Sequence, residues 1–200
     1  MRVPRKRVPP SRHRRCCACL LMLLAGTALA AEDTGPVKQD APRGAAMASQ
    51  CTQADRCPLF DDVYAATPAF RHALSLSLRH GGEQVPEWVK DKLPGGKARS
   101  DTPPAVTASA MLPLRIDERP YLLGRMTDPE NPAHRVATLY DTQRGIATVH
   151  YVGKDGDPRL LGDDTEILRK VMTDYLNADS PFARSLARPD VALPIPVSSQ

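Results

Sequence analysis

Hydrophobic and polar positions alternate most regularly in the middle of the chain. Val136, Thr138 and Tyr140 fall on one side of a two-residue repeat, and Ala137 and Leu139 on the other. That period predicts a strand over 135–140, and Tyr-Leu-Leu-Gly-Arg-Met predicts another over 121–126. Between them runs Thr-Asp-Pro-Glu-Asn-Pro-Ala-His, residues 127–134. This segment is too long for a tight hairpin turn and too rich in proline for a strand or helix. Loops of that kind on a rigid sheet are where binding residues sit, so Asp128, Pro129, Glu130, Asn131, Pro132 and His134 are the candidate partner-binding residues. Upstream, 105–109 is weakly strand-like and Leu114-Arg115-Ile116-Asp117 alternates. Downstream, 146–152 is β-branched and aromatic, and 159–161 suits an edge strand. Short turns at 117–120, 141–145 and 153–157 join these runs, which predicts an antiparallel meander of about five strands.

Helical spacing flanks the strands. Leu59, Phe60, Val63 and Tyr64 share a face; Thr67 then reads as an N-cap with Pro68 at the first helical position. Phe70, Ala73, Leu74 and Leu78 line the next helix until Gly81-Gly82 stops it. Pro86-Glu87-Trp88-Val89 predicts one further turn, with Trp88 packed beneath it. Gly95-Gly96 and Pro103-Pro104 mark 93–104 as a loop. After the strands, Asp163 and Glu166 have capping-box spacing ahead of a wide apolar stripe of Ile167, Leu168, Val171, Met172, Tyr175 and Leu176. Helices, then strands, then a helix predict an α+β fold with the N- and C-terminal helices packed on one face of the central sheet.

The N-terminus changes the charge reading. Seven basic residues within the first 15 precede a short apolar run at 16–26, and Ala28-Leu29-Ala30 forms an A-x-A site. This is a secretory signal over 1–30, cleaved between Ala30 and Ala31, because the apolar run is too short for a stable membrane span. Of 27 lysines and arginines, 20 then remain against 23 acidic residues, so the basic balance of the whole chain belongs to the signal. Nucleic acid and anionic membranes are not expected partners. Residues 31–56 hold almost no large apolar side chain and predict a disordered linker. The folded domain is expected over 57–177, with a Pro- and Ser-rich tail over 178–200. Cys16, Cys17 and Cys19 leave with the signal. Cys51 and Cys57 remain as an even pair in an oxidising compartment, which predicts a disulfide.

Motifs for chemistry are missing. The chain has no nucleophile elbow, P-loop, dinucleotide fingerprint or H-E-x-x-H. His72, His80, His134 and His150 do not fall at metal-ligand spacing on one element. Asp155-Gly156-Asp157 lacks the remaining ligands of a calcium loop and reads as a turn. No catalytic residue, cofactor or metal is expected, and the predicted activity is binding to another protein.

The order of elements resembles a known family. Phe60-Asp61-Asp62-Val63-Tyr64, Pro68-Ala69-Phe70 and Val85-Pro86-Glu87-Trp88-Val89-Lys90 are similar to the N-terminal half of the inhibitor of vertebrate lysozyme (Ivy) family. Tyr121-Leu122-Leu123-Gly124-Arg125-Met126 resembles the strand entering that family's inhibitory loop, and Leu160-Leu161-Gly162-Asp163-Asp164 the segment before its last helix. The resemblance implies a periplasmic protein with a central antiparallel sheet and helices packed on it, often a homodimer, in a family that inserts a disulfide-tied loop with a histidine into the active-site cleft of lysozyme. Here the corresponding loop, 127–134, has no cysteine, and Glu130 falls near the position expected to carry histidine. An ionised carboxylate donates no hydrogen bond and meets like charge in an acidic cleft. The resemblance therefore leaves two expectations: inhibition of a lysozyme-type or lytic-transglycosylase-type peptidoglycan-cleaving enzyme, or an Ivy-like fold serving a different protein partner.

Overall fold

The computed structural model describes residues 44–92, 107–153, 155–188 and 190–198. All of these belong to one compact unit, Gln39–Gln200. The expected signal peptide, with Ala30 and Ala31, lies outside the described residues, as does the expected loop over 93–104. The helices are α1 (Ala45–Ser49), α2 (Phe60–Ala66), α3 (Pro68–Gly81), α4 (Glu87–Lys92), α5 (Glu166–Leu176) and α6 (Pro181–Leu186). The strands are β1 (Thr107–Ala108), β2 (Leu112–Ile116), β3 (Arg119–Thr127), β4 (Arg135–Asp141), β5 (Ile146–Val152), β6 (Pro158–Leu161) and β7 (Ile195–Val197).

The fold is α+β around one mixed seven-stranded sheet, ordered β6-β5-β4-β3-β2-β7, with β1 paired to β3 off this path. Each strand from β2 to β6 is antiparallel to the next in sequence. β7 runs parallel to β2, so the sheet is not wholly antiparallel as the short turns suggested. Ile195-Pro196-Val197 carries little strand signal, because proline cannot donate to a ladder and is confined to sheet edges. β7 is such an edge.

The helices cover both faces of the sheet, which corrects the expectation of one. Successive strand residues point to opposite sides. Leu122, Val136, Tyr140, Ala147, Val149 and Tyr151 join a core with Phe60, Phe70 and Leu74 of α2 and α3. Leu123, Ala137 and Leu139 join a second core with Leu168, Val171, Met172 and Tyr175 of α5. Tyr121, Leu122 and Leu123 are buried in succession, as in strands covered on both sides. Each large apolar side chain buried this way contributes roughly 1.5–3 kcal/mol. Gly124 lets Met111 lie against β3, since a Cβ there would sit 2.2 Å from the Met111 sulfur.

The expected domain limits are corrected at both ends. Residues 44–56 are ordered rather than linker: Ala48 is fully buried, and the Ala45 amide donates to Thr67 Oγ1 at 2.8 Å. Small side chains suffice there, because the surface they cover is supplied by α2 and β3. The Cys51–Cys57 disulfide is formed and joins the end of α1 to the start of α2. Residues 178–188 and 190–198 dock rather than trail, with Leu186 and Leu193 buried in the second core. Two expected caps also differ. Thr67 is the N-cap of α3, but its hydroxyl serves Ala45 rather than its own helix. Thr165, not Asp163, is the N-cap of α5, since Asp163 is held by Arg144 and by backbone hydrogen bonds with Thr148 Oγ1.

Candidate partner-binding site

The loop between β3 and β4 is set by the register of those strands. Thr127 and Arg135 form their last pair, and the Asp128 amide donates to the His134 carbonyl at 2.9 Å just beyond it. Two tight turns follow. The Asn131 amide donates to Asp128 O at 3.2 Å, and the His134 amide to Asn131 O at 2.8 Å. The Asp128 carboxylate accepts the Glu130 amide at 3.0 Å, and its other oxygen lies 3.4 Å from His134 Nδ1. Asn131 braces the far side, accepting the Ala133 amide at 3.1 Å and placing Nδ2 3.2 Å from His134 Nε2. Arg135 Nε donates to the Pro132 carbonyl at 3.0 Å.

These bonds sort the candidate residues. Pro129, Glu130, Pro132 and His134 are exposed, and Asn131 is half-buried. Asp128 is buried, its carboxylate folded back as the loop's internal acceptor, so it is not offered to a partner as the sequence suggested. An aspartate at the head of a turn satisfies nearby amides more cheaply than it projects. The hydrogen bonds of Asp128 and Asn131 thus supply stiffness to a loop that contains no disulfide. Glu130 is the exposed carboxylate at the turn.

A groove of ≈ 220 Å³ borders the loop, lined by Pro86, Glu87, Trp88, His134, Val136 and Tyr151 among others. Trp88 is half-buried, part of it packed on the first core and part lining this groove. Strand register and the chain reversal after α3 bring Trp88 beside His134. Neither residue's local spacing signals the other. Tyr151 is almost fully buried and its hydroxyl has no hydrogen-bond partner among the described residues. Burial pushes that hydroxyl above its ordinary value of 10.0, so it stays protonated and able to donate.

Several carboxylates elsewhere are tied into structure. Asp141 Oδ1 accepts the Gln143 and Arg144 amides at 2.9 Å each, closing the β4–β5 turn. Arg144 reaches on to Asp163 at 2.5 Å. Asp155 closes the turn before β6 through Arg159 and the Asp157 amide, as expected of a turn rather than a calcium loop. Among the described residues no three His, Cys, Asp or Glu side chains are grouped to hold a metal ion. None of the described helices is long and apolar enough to cross a membrane. No protein-family model matches the chain, and none of the curated proteins compared with it matches.

Proposed function

We propose that this chain is an exported, Ivy-like inhibitor that binds a lysozyme-type or lytic-transglycosylase-type peptidoglycan-cleaving enzyme through the 127–134 loop. The observation that carries this reading is the loop itself. It stands at the end of the sheet, is braced by its own hydrogen bonds, and exposes Pro129, Glu130, Pro132 and His134. A loop stiffened before binding loses less conformational entropy on a partner's surface. The antiparallel run from β2 to β6 supports the same reading, since a central antiparallel sheet is what the resemblance implies. The reading includes a periplasmic location, no catalysis by this chain, and a homodimer.

One observation favours a second reading, an Ivy-like protein with another partner. Glu130 presents a carboxylate at the exposed turn, which opposes entry into an acidic catalytic cleft. Residual activity of a c-type lysozyme and of a lytic transglycosylase, measured with purified residues 31–200, separates the two. Inhibition at micromolar protein supports the first reading, and no inhibition of either enzyme removes it. On the first reading Glu130→His strengthens inhibition by about tenfold or more, because it removes like charge and adds a donor. Sedimentation of the same material reads the oligomeric state.

A further inference from the structure

The opposite face of the sheet carries a second cavity, ≈ 230 Å³, whose lining includes Ala54, Ser109, Leu112, Arg125, Tyr175 and Ala183. Its walls are mainly alanine and leucine, and among the described residues Arg125 is the one charged side chain in its lining. The guanidinium lies over the Tyr175 ring, 5.5 Å from the centroid. Ser109 fixes this arrangement: its Oγ accepts the Arg125 amide at 2.9 Å and meets the Tyr175 hydroxyl at 2.9 Å. Arg125 has no carboxylate at ion-pair distance among the described residues.

The surroundings add positive charge. Arg125 pairs with Ala137 and Thr127 with Arg135, so Arg125 and Arg135 are diagonal neighbours on one face. Among the described residues Arg135 donates its side-chain hydrogen bonds to neutral carbonyls, Pro132 O and Leu176 O. His150 faces Ala137 from β5 on that same side but adds no charge there, since burial disfavours its protonated form. The C-terminal end of α5 compensates in part, but a helix end supplies only about half an elementary charge. Against that fraction the Arg125 charge is only partly compensated by the residues that line the cavity.

We propose that this cavity is a carboxylate-binding site, taking a ligand with one carboxylate on a small aliphatic body. The planar carboxylate meets Arg125 through two parallel N–H bonds, and the aliphatic body rests on Ala54, Leu112 and Ala183. A phosphate or sulfate fits less well, because it needs several further donors. Ser109 Oγ lies 3.0 Å from the Ala110 carbonyl, so its proton is directed there and the Tyr175 proton to Ser109. The ligand is either a free small acid or the terminal carboxylate of a peptide.

The test uses isotope-labelled residues 31–200 and amide chemical shifts. Isovalerate is titrated against isovaleramide, and a short peptide ending in free valine against the same peptide amidated. Saturable shifts at Ser109, Arg125 and Ala183 with an acid, and about tenfold weaker binding of its amide, are expected from loss of the charge-assisted bonds. Whichever acid binds tighter identifies the source. Arg125→Met is expected to weaken the acid by about tenfold or more. Equal shifts from acid and amide, or no saturable shift with any of the four, overturn the proposal, and that comparison needs no variant. Enzyme inhibition does not enter, so this result and the inhibitor reading fail independently.

Discussion

Asp117 and Glu118 turn the β2–β3 hairpin with φ of 45° and 67°. Left-handed backbone at two successive residues is what a two-residue hairpin of matching twist requires. Aspartate tolerates that conformation, whereas a longer side chain gains nothing from it. The Glu118 side chain is 88% exposed, and its pair with Arg115 at 3.5 Å contributes little. Glu118→Gly is therefore expected to stabilise the fold by about 0.5–1 kcal/mol, read as a higher urea midpoint at unchanged slope. His150 makes a pH prediction. Burial holds its imidazole below the ordinary 6.5, and its Nδ1 has no partner among the described residues. The unfolded chain then takes up a proton on this residue before the folded one does. Stability is full above 6.5 and falls as pH drops through that value toward the lower folded one. Denaturation across pH 5–7 is expected to lose this slope in His150→Gln; an unchanged slope places its origin elsewhere.

The β3–β4 loop shows how an element can be legible in part. Its length, its prolines and its place between two strands were plain from the chain. The direction of each side chain was not, because Asp128 and Glu130 are both acidic residues beside a proline. Asp128 turned inward because its carboxylate meets the Glu130 amide and His134 at once. Asp128→Ala is expected to cost about 1–2 kcal/mol and to speed hydrogen exchange at the Glu130 amide. An unaffected exchange rate would show that the backbone turns hold the loop unaided. The helices divide in the same way. Apolar spacing located α2, α3 and α5, but the capping-box pattern at Asp163 misled. Its carboxylate found Arg144 across the β4–β5 turn, a partner that no local window contains.

At the scale of the molecule, the largest difference from expectation is the layering. Helices on both faces make α6 and β7 part of the structure rather than a tail. Deleting 178–200 exposes the second core around Leu186 and Leu193 and strips β7 from β2. Two leucines at about 1.5–3 kcal/mol each predict a loss of roughly 3–6 kcal/mol, seen as a lower thermal midpoint. An unchanged midpoint would mean that this segment adds nothing to the core. The Arg125 cavity and the Trp88 groove likewise exist only at this scale, since each collects residues from segments far apart in sequence. By itself the chain determined the helices α2 to α5, the strands β2 to β6, the Cys51–Cys57 pairing and the position of the exposed loop. Those follow from side-chain period, parity and turn chemistry over a few residues. Only the tertiary structure decided which faces were covered, that 44–56 and the segments holding Leu186 and Leu193 dock, and which polar groups meet. Burial and hydrogen bonding between distant segments are properties of the packed chain, and no short stretch of it encodes them.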